Sequence, residues 1–324
     1  VSLFGGRDFT PLANGTDALI VALEALALPP GSAVAMVPNA GGYGSIAALR
    51  AGLVPIYVDV EPSTAQMSLA SLEDNLSRFP RIAVVIVTHL YGQVGGVEQI
   101  ADLCKSHNIP LIEDCAQSFG ASVNGQPAGT FGDLATLSFY PTKNLGAAGD
   151  AGGILADEPR LNARVKQLAQ YGWSDRYFIE VPRGFNSRMD EIQATVLNHN
   201  LDKISQWNSD RRNIVSRYSA ALTDDRMMIG DCSASSFVAH LAVLVTKTRS
   251  EDRTTLAAAG VETSIHYPVL DPDQPAWRNA SPPTDIPVAR SLSSSILTLP
   301  CFPQMTEDEI KIVCAALSLL GDGR

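Results

Sequence analysis

After Asn14-Gly15-Thr16-Asp17, apolar residues recur at Ala18, Leu19, Ala22, Leu23 and Leu26, the three- and four-residue spacing of an amphipathic helix. Asn14 or Thr16 is placed to cap this helix, and Pro29-Pro30-Gly31 stops it. Beyond it the period changes. Short apolar runs at 33–38, 55–60, 82–88 and 110–113 alternate with helical stretches at 45–51, 68–76 and 97–105. Strand, glycine loop, helix, strand is the rhythm of an α/β fold with a mostly parallel central sheet flanked by helices. Such sheets bind ligands beyond the carboxyl ends of their strands, where His89 and Asp114 fall.

The pattern continues with a strand at 153–156, a polar helix at 158–171 and a loop through Trp173 and Tyr177 to Arg188. Met189, Ile192, Val196, Leu197, Leu201, Ile204, Trp207, Ile214 and Tyr218 trace one long amphipathic helix or two in series. This stretch is expected to carry the chain from a large domain, 1–206, to a smaller α+β domain, 207–324. The latter shows a strand at 240–245, a helix at 253–259 ended by Gly260 and a Pro/Asp-rich loop at 271–287. A last helix at 307–320 has Thr306 as its N-cap. No internal repeat is visible.

Composition narrows the function. With 324 residues and 45% hydrophobic positions, the chain can bury a substantial core. A net charge of −10 without clustered Lys and Arg argues against a nucleic-acid or anionic-membrane surface. No apolar run approaches the roughly 18–20 residues of a membrane span. Cys104, Cys115, Cys232, Cys301 and Cys314 are odd in number and lack CxxC spacing. They predict reduced thiols of a cytoplasmic protein, with neither a disulfide frame nor a metal site. The chain starts at Val1 and almost at once enters Asn14-Gly15-Thr16, which predicts a further segment ahead of it.

The candidate chemistry centres on Lys143. It follows the run Leu137-Ser138-Phe139-Tyr140-Pro141-Thr142 and precedes the glycines of 146–153. A lysine ammonium is strongly hydrated, and wedging it between a strand and a glycine turn suits an amine that must meet a carbonyl. Pyridoxal phosphate is the commonest protein-bound aldehyde that needs a lysine for a Schiff base; a solvated turn lysine would look the same. Upstream, Glu113-Asp114 closes an apolar strand, and alternation turns one carboxylate to the site and the other away. Asp114 could pair with a protonated pyridine nitrogen or cap the next helix. The Gly15-Thr16 helix start, with free amides and a hydroxyl at the positive end of the dipole, suits a phosphate as well as an ordinary cap.

Together these stretches resemble the DegT/StrS family of sugar-nucleotide aminotransferases, which have the aspartate aminotransferase fold (fold type I). The resemblance runs in order through Asn14-Gly15-Thr16-Asp17-Ala18-Leu19, Ala51-Gly52 with Pro55 and Val58-Asp59-Val60, and His89-Leu90-Tyr91-Gly92. It continues through Glu113-Asp114-Cys115-Ala116-Gln117, Ser138 to Leu145, Gly184 to Glu191, and Ile265-His266-Tyr267-Pro268, nearly the whole chain. It implies a pyridoxal phosphate enzyme that takes an amino group from an amino acid, usually L-glutamate, and gives it to a nucleotide-linked keto-deoxysugar. By that resemblance Lys143 forms the Schiff base and shuttles the proton, Asp114 pairs with the pyridine nitrogen, and Gln117 lies near the phenolic oxygen. Gly15, Thr16, the Asp17 amide and Ser138 hold the phosphate, and Asn186 reaches a phosphate in the neighbouring subunit of a homodimer with shared sites. The ring-stacking aromatic falls where this chain reads Gly41-Gly42-Tyr43, and Ala151 stands where a glycine is usual.

Substrate contacts are expected from His89, Arg183, His266 and Tyr267, with Arg176 and Arg188 as further candidates for a diphosphate. Three alternatives share the pattern. A same-fold dehydratase would carry histidine in place of Lys143, a keto-cyclitol could replace the keto sugar, and a cofactor-binding regulator would add a helix-turn-helix module and a basic face.

Overall fold

One sheet of seven strands organises the larger part of the chain, in a computed structural model that describes residues 2–320. In chain order come β1 (Asp8–Leu12), α1 (Gly15–Ala25), β2 (Ala33–Met36), α2 (Tyr43–Arg50), β3 (Val54–Tyr57), α3 (Leu69–Arg78), β4 (Ile82–Thr88), α4 (Val97–Ser106) and β5 (Leu111–Asp114). A ribbon of β6 (Ser122–Val123) and β7 (Gln126–Pro127) precedes β8 (Leu134–Ser138), β9 (Gly152–Ala156) and α5 (Pro159–Leu168). The strand order is β1-β9-β8-β5-β4-β2-β3. Strands β8, β5, β4, β2 and β3 pair in parallel. Only β9 runs against the rest, antiparallel to both β8 and β1. The carboxyl ends of the other strands therefore share one edge.

The expected rhythm is present with small shifts in element ends. Asn14 is the N-cap of α1, its Oδ1 accepting the Asp17 amide at 2.8 Å. The helix is more deeply buried than an amphipathic stripe requires, because Ile20 and Val21 are covered as well as Leu19 and Leu23. It lies in the core, against α2, α5 and the β8–β9 pair. At its start Gly152 of β9 pairs with both Leu12 and Ser138. A Cβ on Gly152 would lie 2.4 Å from the Asn14 carbonyl carbon, so this crossing of three strands and a helix start has no room for a side chain.

A second clamp lies behind the sheet. Glu113 is fully buried and points away from the strand-end edge. Its Oε1 accepts the amides of Phe131 at 2.6 Å and Gly132 at 2.8 Å; its Oε2 accepts the Gly129 amide at 2.8 Å and His89 Nε2 at 3.0 Å. Burial alone would raise this carboxyl, but the His89 hydrogen bond and charge, with the Gly132 and Gly129 amides, outweigh it and hold it below its ordinary value. Arg7 grips the same turn from its acceptor side, through the carbonyls of Gly129, Gly132 and Asp133.

The rest of the chain forms the hairpin β10 (Trp173–Asp175) and β11 (Phe178–Ile179), α6 (Glu191–Asn200), α7 (Ile204–Ala221), β12 (Met227–Met228), β13 (Ala242–Val245), α8 (Arg249–Ala258), α9 (Pro287–Ser295), β14 (Ile296–Leu299) and α10 (Glu307–Ser318). Strands β12, β13 and β14 make an antiparallel sheet. It shares a second apolar cluster with Ile214, Val215 and Tyr218 of α7 and with Ile310, Val313 and Leu317 of α10. Thr306 caps α10 in a reciprocal capping box with Glu309. The chain after 207 does not stay with this cluster: Leu270, Ile286, Ala289 and Leu292 pack into the first one. Asp59, in the loop after β3, fastens that return by accepting the Val288 and Ala289 amides at the start of α9.

Replacing Glu113 with alanine strands three backbone amides in a turn that is buried at Gly129 and half-buried beyond it. Glu113→Ala is expected to lower the unfolding free energy by roughly 3 kcal/mol or more, measured by urea denaturation. An effect below about 1 kcal/mol would mean that the turn finds other acceptors.

Candidate functional site

The shared edge of the sheet opens into a cavity of about 900 Å³. Its floor is assembled from strand ends: Asn14, Gly15 and Thr16 after β1, Tyr43 after β2, Asp114 at the end of β5, Ser138 at the end of β8, and the Lys143 loop. The facing wall comes from Asn200, Trp207 and Arg211, from His240-Leu241, from His266-Tyr267 and from residues 301–304. The two halves of the chain meet across it.

Strand alternation sends Asp114 into this edge while Glu113 goes behind. Asp114 accepts the Thr88 hydroxyl at 3.3 Å and the Ala116 amide at 3.1 Å. Burial raises its carboxyl pKa, opposed by the Ala116 amide and the charge of Lys143. Burial lowers the Lys143 amine, opposed by the charge of Asp114. Each group is thus pushed toward its neutral form by loss of water and toward its charged form by the other. A buried carboxylate of this kind suits a cationic ring nitrogen, and an amine with a lowered pKa suits attack on a carbonyl.

The phosphate end is a matter of close approach. The first two helical amides, on Gly15 and Thr16, have no acceptor inside α1. A Cβ on Gly15 would lie 2.6 Å from the Ser138 Cβ. The helix start and Ser138 therefore form a narrow cradle in which only glycine leaves room. These donors fit a phosphate, and with Asp114 and Lys143 the floor fits pyridoxal phosphate. The Asp17 amide does not belong to this set: it is committed to Asn14 Oδ1, and the Asp17 carboxylate accepts the Ser187 hydroxyl at 2.8 Å.

The other expected residues divide. Gln117 is on the cleft with its orientation set, Oε1 accepting the Tyr91 amide at 2.6 Å and Nε2 donating to the Tyr267 hydroxyl at 3.3 Å. Tyr43 is half-exposed on the cleft as the first residue of α2. His266 and Tyr267 line the wall, where His266 Nδ1 meets Thr298 Oγ1 at 2.9 Å and burial pushes Tyr267 up to about 12. His89 is a correction. It follows β4, but its side chain turns to Glu113 and is fully buried behind the sheet, away from the cavity. Arg183 is a second correction. Its guanidinium pairs with Glu24 at 2.8 Å and binds the carbonyls of Arg50 and Ala51 at the end of α2. Arg176 lies over the Tyr177 ring, and Arg188 donates to Asn186. Neither these two nor Asn186 lines this chain's own cavity.

Two wall residues escape a sequence reading, Arg211, which donates to the carbonyls of His240 at 3.2 Å and Cys301 at 2.8 Å, and His240 itself; Asp271, which supports the cleft without lining it, escapes as well. Asp271 belongs to the segment expected as plain loop. It caps α2 from outside, Oδ1 accepting the Gly42 amide at 2.9 Å and Oδ2 the Ser45 hydroxyl at 2.6 Å. No local pattern marks it, because its partners are more than two hundred residues away.

Two outcomes follow from this geometry. Gly15→Ala should leave a folded protein that binds pyridoxal phosphate at least about tenfold more weakly in equilibrium titration, because the phosphate cradle must widen. Asp271 titrates near 6 in the folded state, since burial raises it from its ordinary 3.8 against the Ser45 and Gly42 hydrogen bonds. A raised folded pKa means its stabilising contribution is complete below about 3.8 and is lost as pH rises through about 6. Denaturation of wild type and Asp271→Asn from pH 4 to 7 should therefore show an extra downward slope in the wild type, on the order of 2–3 kcal/mol in total.

Comparison with known proteins gives a consistent result. The family model described as the DegT/DnrJ/EryC1/StrS aminotransferase family matches residues 3–318. The chain is 34% identical, over 94% of its length and 82% of the relative's, to a UDP-N-acetyl-3-dehydro-alpha-D-glucosamine 3-aminotransferase of Acidithiobacillus ferrooxidans. It superposes with a TM-score of 0.90 on S. venezuelae DesV, solved in complex with a ketimine intermediate (30% identity, 97% of this chain and 85% of that one). A TM-score of 0.89 relates it to NtdA of Bacillus subtilis with bound cofactor PMP (28% identity, 97% of this chain and 73% of that one).

Proposed function

This chain belongs to the DegT/DnrJ/EryC1/StrS aminotransferase family of pyridoxal phosphate enzymes, and from that premise we propose that it transfers an amino group from L-glutamate to a nucleotide-linked keto-deoxysugar in amino-sugar biosynthesis. The carrying observation is Lys143 and Asp114 set together in one buried cleft, with an open helix start beside them. The names of the relatives, which act on nucleotide-linked sugars, support the acceptor class.

Asp114 would hold the cofactor's ring nitrogen, Gly15, Thr16 and Ser138 its phosphate, and Lys143 its aldehyde carbon; Gln117 and Tyr43 border the ring's space. When bound, the cofactor supplies a carbonyl for the incoming amine and a sink for the electrons left when a carbon loses its proton. Lys143 takes the proton from the α-carbon of the donor amino acid and returns one to the carbonyl carbon of the acceptor. Burial lowers its pKa against the charge of Asp114, which favours the free amine that this work requires. Asp114 keeps the positive charge that makes proton loss affordable. The presence of lysine at 143, where a dehydratase would carry histidine, favours transamination.

The same reading makes the enzyme a homodimer with shared sites. Tyr177, Phe178 and Ile179 stand exposed in the β10–β11 hairpin, and Ile192 at the start of α6, apolar surface that suits a partner. Asn186 does not line its own cavity, which suits a contact in the partner's. Five unpaired cysteines suit a reducing compartment such as the cytoplasm.

Visible absorbance tests the chemistry. Wild type supplied with pyridoxal phosphate should turn yellow, L-glutamate should bleach it, and the acceptor should restore the colour; Lys143→Ala should show none of this cycle. Screening UDP- and dTDP-linked keto sugars beside a keto-cyclitol identifies the acceptor. A wild type that binds cofactor but ignores every amino acid would overturn the proposal. For the dimer, mixing inactive Lys143→Ala with an impaired Asn186→Ala should restore activity, because one site of the hybrid carries both native residues. No recovery in a verified hybrid would argue for independent sites.

A further inference from the structure

His240 borders the cavity beside Lys143 but has no part in the chemistry described above. A run of side-chain amides fixes which of its nitrogens carries the proton. Asn208 Nδ2 donates to the Phe119 carbonyl at 3.0 Å, so Asn208 must present its oxygen to the next group. That oxygen accepts Asn144 Nδ2 at 2.7 Å, and the same Asn144 nitrogen donates to the Val238 carbonyl at 3.0 Å. Backbone carbonyls only accept, so neither amide can be reversed. Asn144 is left with its oxygen toward His240 Nδ1, 2.8 Å away. An oxygen there requires Nδ1 to be the protonated nitrogen.

The ring is neutral. Burial pushes His240 well below its usual range, and the positive charges of Lys143, Arg211 and His266 push the same way. A neutral imidazole with its proton on Nδ1 has a lone pair on Nε2. Among the described residues no protein group donates to that nitrogen. The wall of the cavity thus presents a fixed acceptor close to the reacting amine. Arg211 holds the backbone of the same residue, through the His240 carbonyl, so the ring's anchor is fixed as well as its tautomer.

We infer that His240 is a specificity residue for the acceptor, whose Nε2 receives a hydrogen bond from a hydroxyl of the carbohydrate close to the carbon being aminated. This rests on the aminotransferase reading and narrows it: the favoured keto sugar keeps a hydroxyl beside its carbonyl. The Lys143 amine, whose charge bears on the imidazole, is engaged at the reacting carbon, which leaves substrate to fill the space before the ring. A site built around a hydrogen bond discriminates against a partner lacking it, because its polar group is then left unmatched.

The two half-reactions separate the possibilities. His240→Phe keeps ring shape without nitrogen, and His240→Gln can return an oxygen near the Nε2 position. Holoenzymes of each, and wild type, would be followed by stopped-flow absorbance, first with L-glutamate and then with dTDP- or UDP-linked keto sugars bearing or lacking the adjacent hydroxyl. The expected result is a donor half-reaction within about threefold of wild type for His240→Phe. Its acceptor half-reaction should fall about 10- to 100-fold for the hydroxylated sugar only, through KM more than kcat, with partial recovery in His240→Gln. Equal slowing of both half-reactions would overturn the inference and assign His240 to Lys143 or to the fold. Unchanged discrimination between the two sugars would overturn it too. A wild type inert with every donor would sink the parent reading, and this one with it. Nitrogen NMR of the histidine-labelled wild type gives a readout free of any variant. The neutral Nδ1–H form at pH 7, with Nε2 shifting when the hydroxylated sugar is added, is expected; an Nε2–H form would overturn the proposal.

Discussion

Two groups that water would hold in their charged forms, Asp114 and Lys143, have been taken out of water into the same cleft, and the fold is arranged to keep them there. Each is destabilised as an ion by burial and restored by the other's charge. Such a pair keeps its mutual electrostatic support only where its surroundings hold the two groups in place. The rigidity comes from three parallel strand ends, from the Thr88 and Ala116 donors on Asp114, and from Asn144, pinned on three sides immediately after Lys143.

The cleft is bounded by two apolar clusters, and polar pins rather than apolar packing set its width. Asp59 holds the start of α9, Asp271 the start of α2, and Arg211 the His240 and Cys301 carbonyls. Each joins backbone from one part of the chain to a side chain far away in sequence. Directional bonds at these points fix position better than contact between greasy surfaces can, and the wall of a substrate site needs fixed positions.

What could be read in the sequence was what local rules govern. The alternation of short apolar runs and helices gave the α/β sheet, the Asn14 cap and the Thr306 cap lay where their residues placed them, and the order of motifs led to the family. Strand β1 escaped notice because Asp8 and Pro11 interrupt its apolar run, although Gly5-Gly6 precede it, and strand β14 because it follows the last serine of α9 without a turn. Helix α9 was hidden by its serines, although Pro287 at its first turn was a readable sign. The site was legible where strand ends define it, at Gly15, Asp114, Ser138 and Lys143. It was not legible where side-chain direction decides. His89 stands one residue past a strand end, as a site residue should, yet faces the other way; Arg183 has the charge for a diphosphate and spends it on the end of a helix. The facing wall with His240, and the Asp271 cap on α2, depend on contacts between distant segments that no spacing announces.

The turn at 129–132 illustrates a practical corollary. Surface turns are ordinarily the places where a protein accepts inserted peptides, new termini or fused reporters. This one is held by its amides through Glu113 and by its carbonyls through Arg7, so lengthening it by even one residue would leave a donor or an acceptor without its buried mate. An engineer who wishes to tag, split or permute this enzyme should treat that apparently ordinary bend as part of the core, and look for permissive ground elsewhere on the surface.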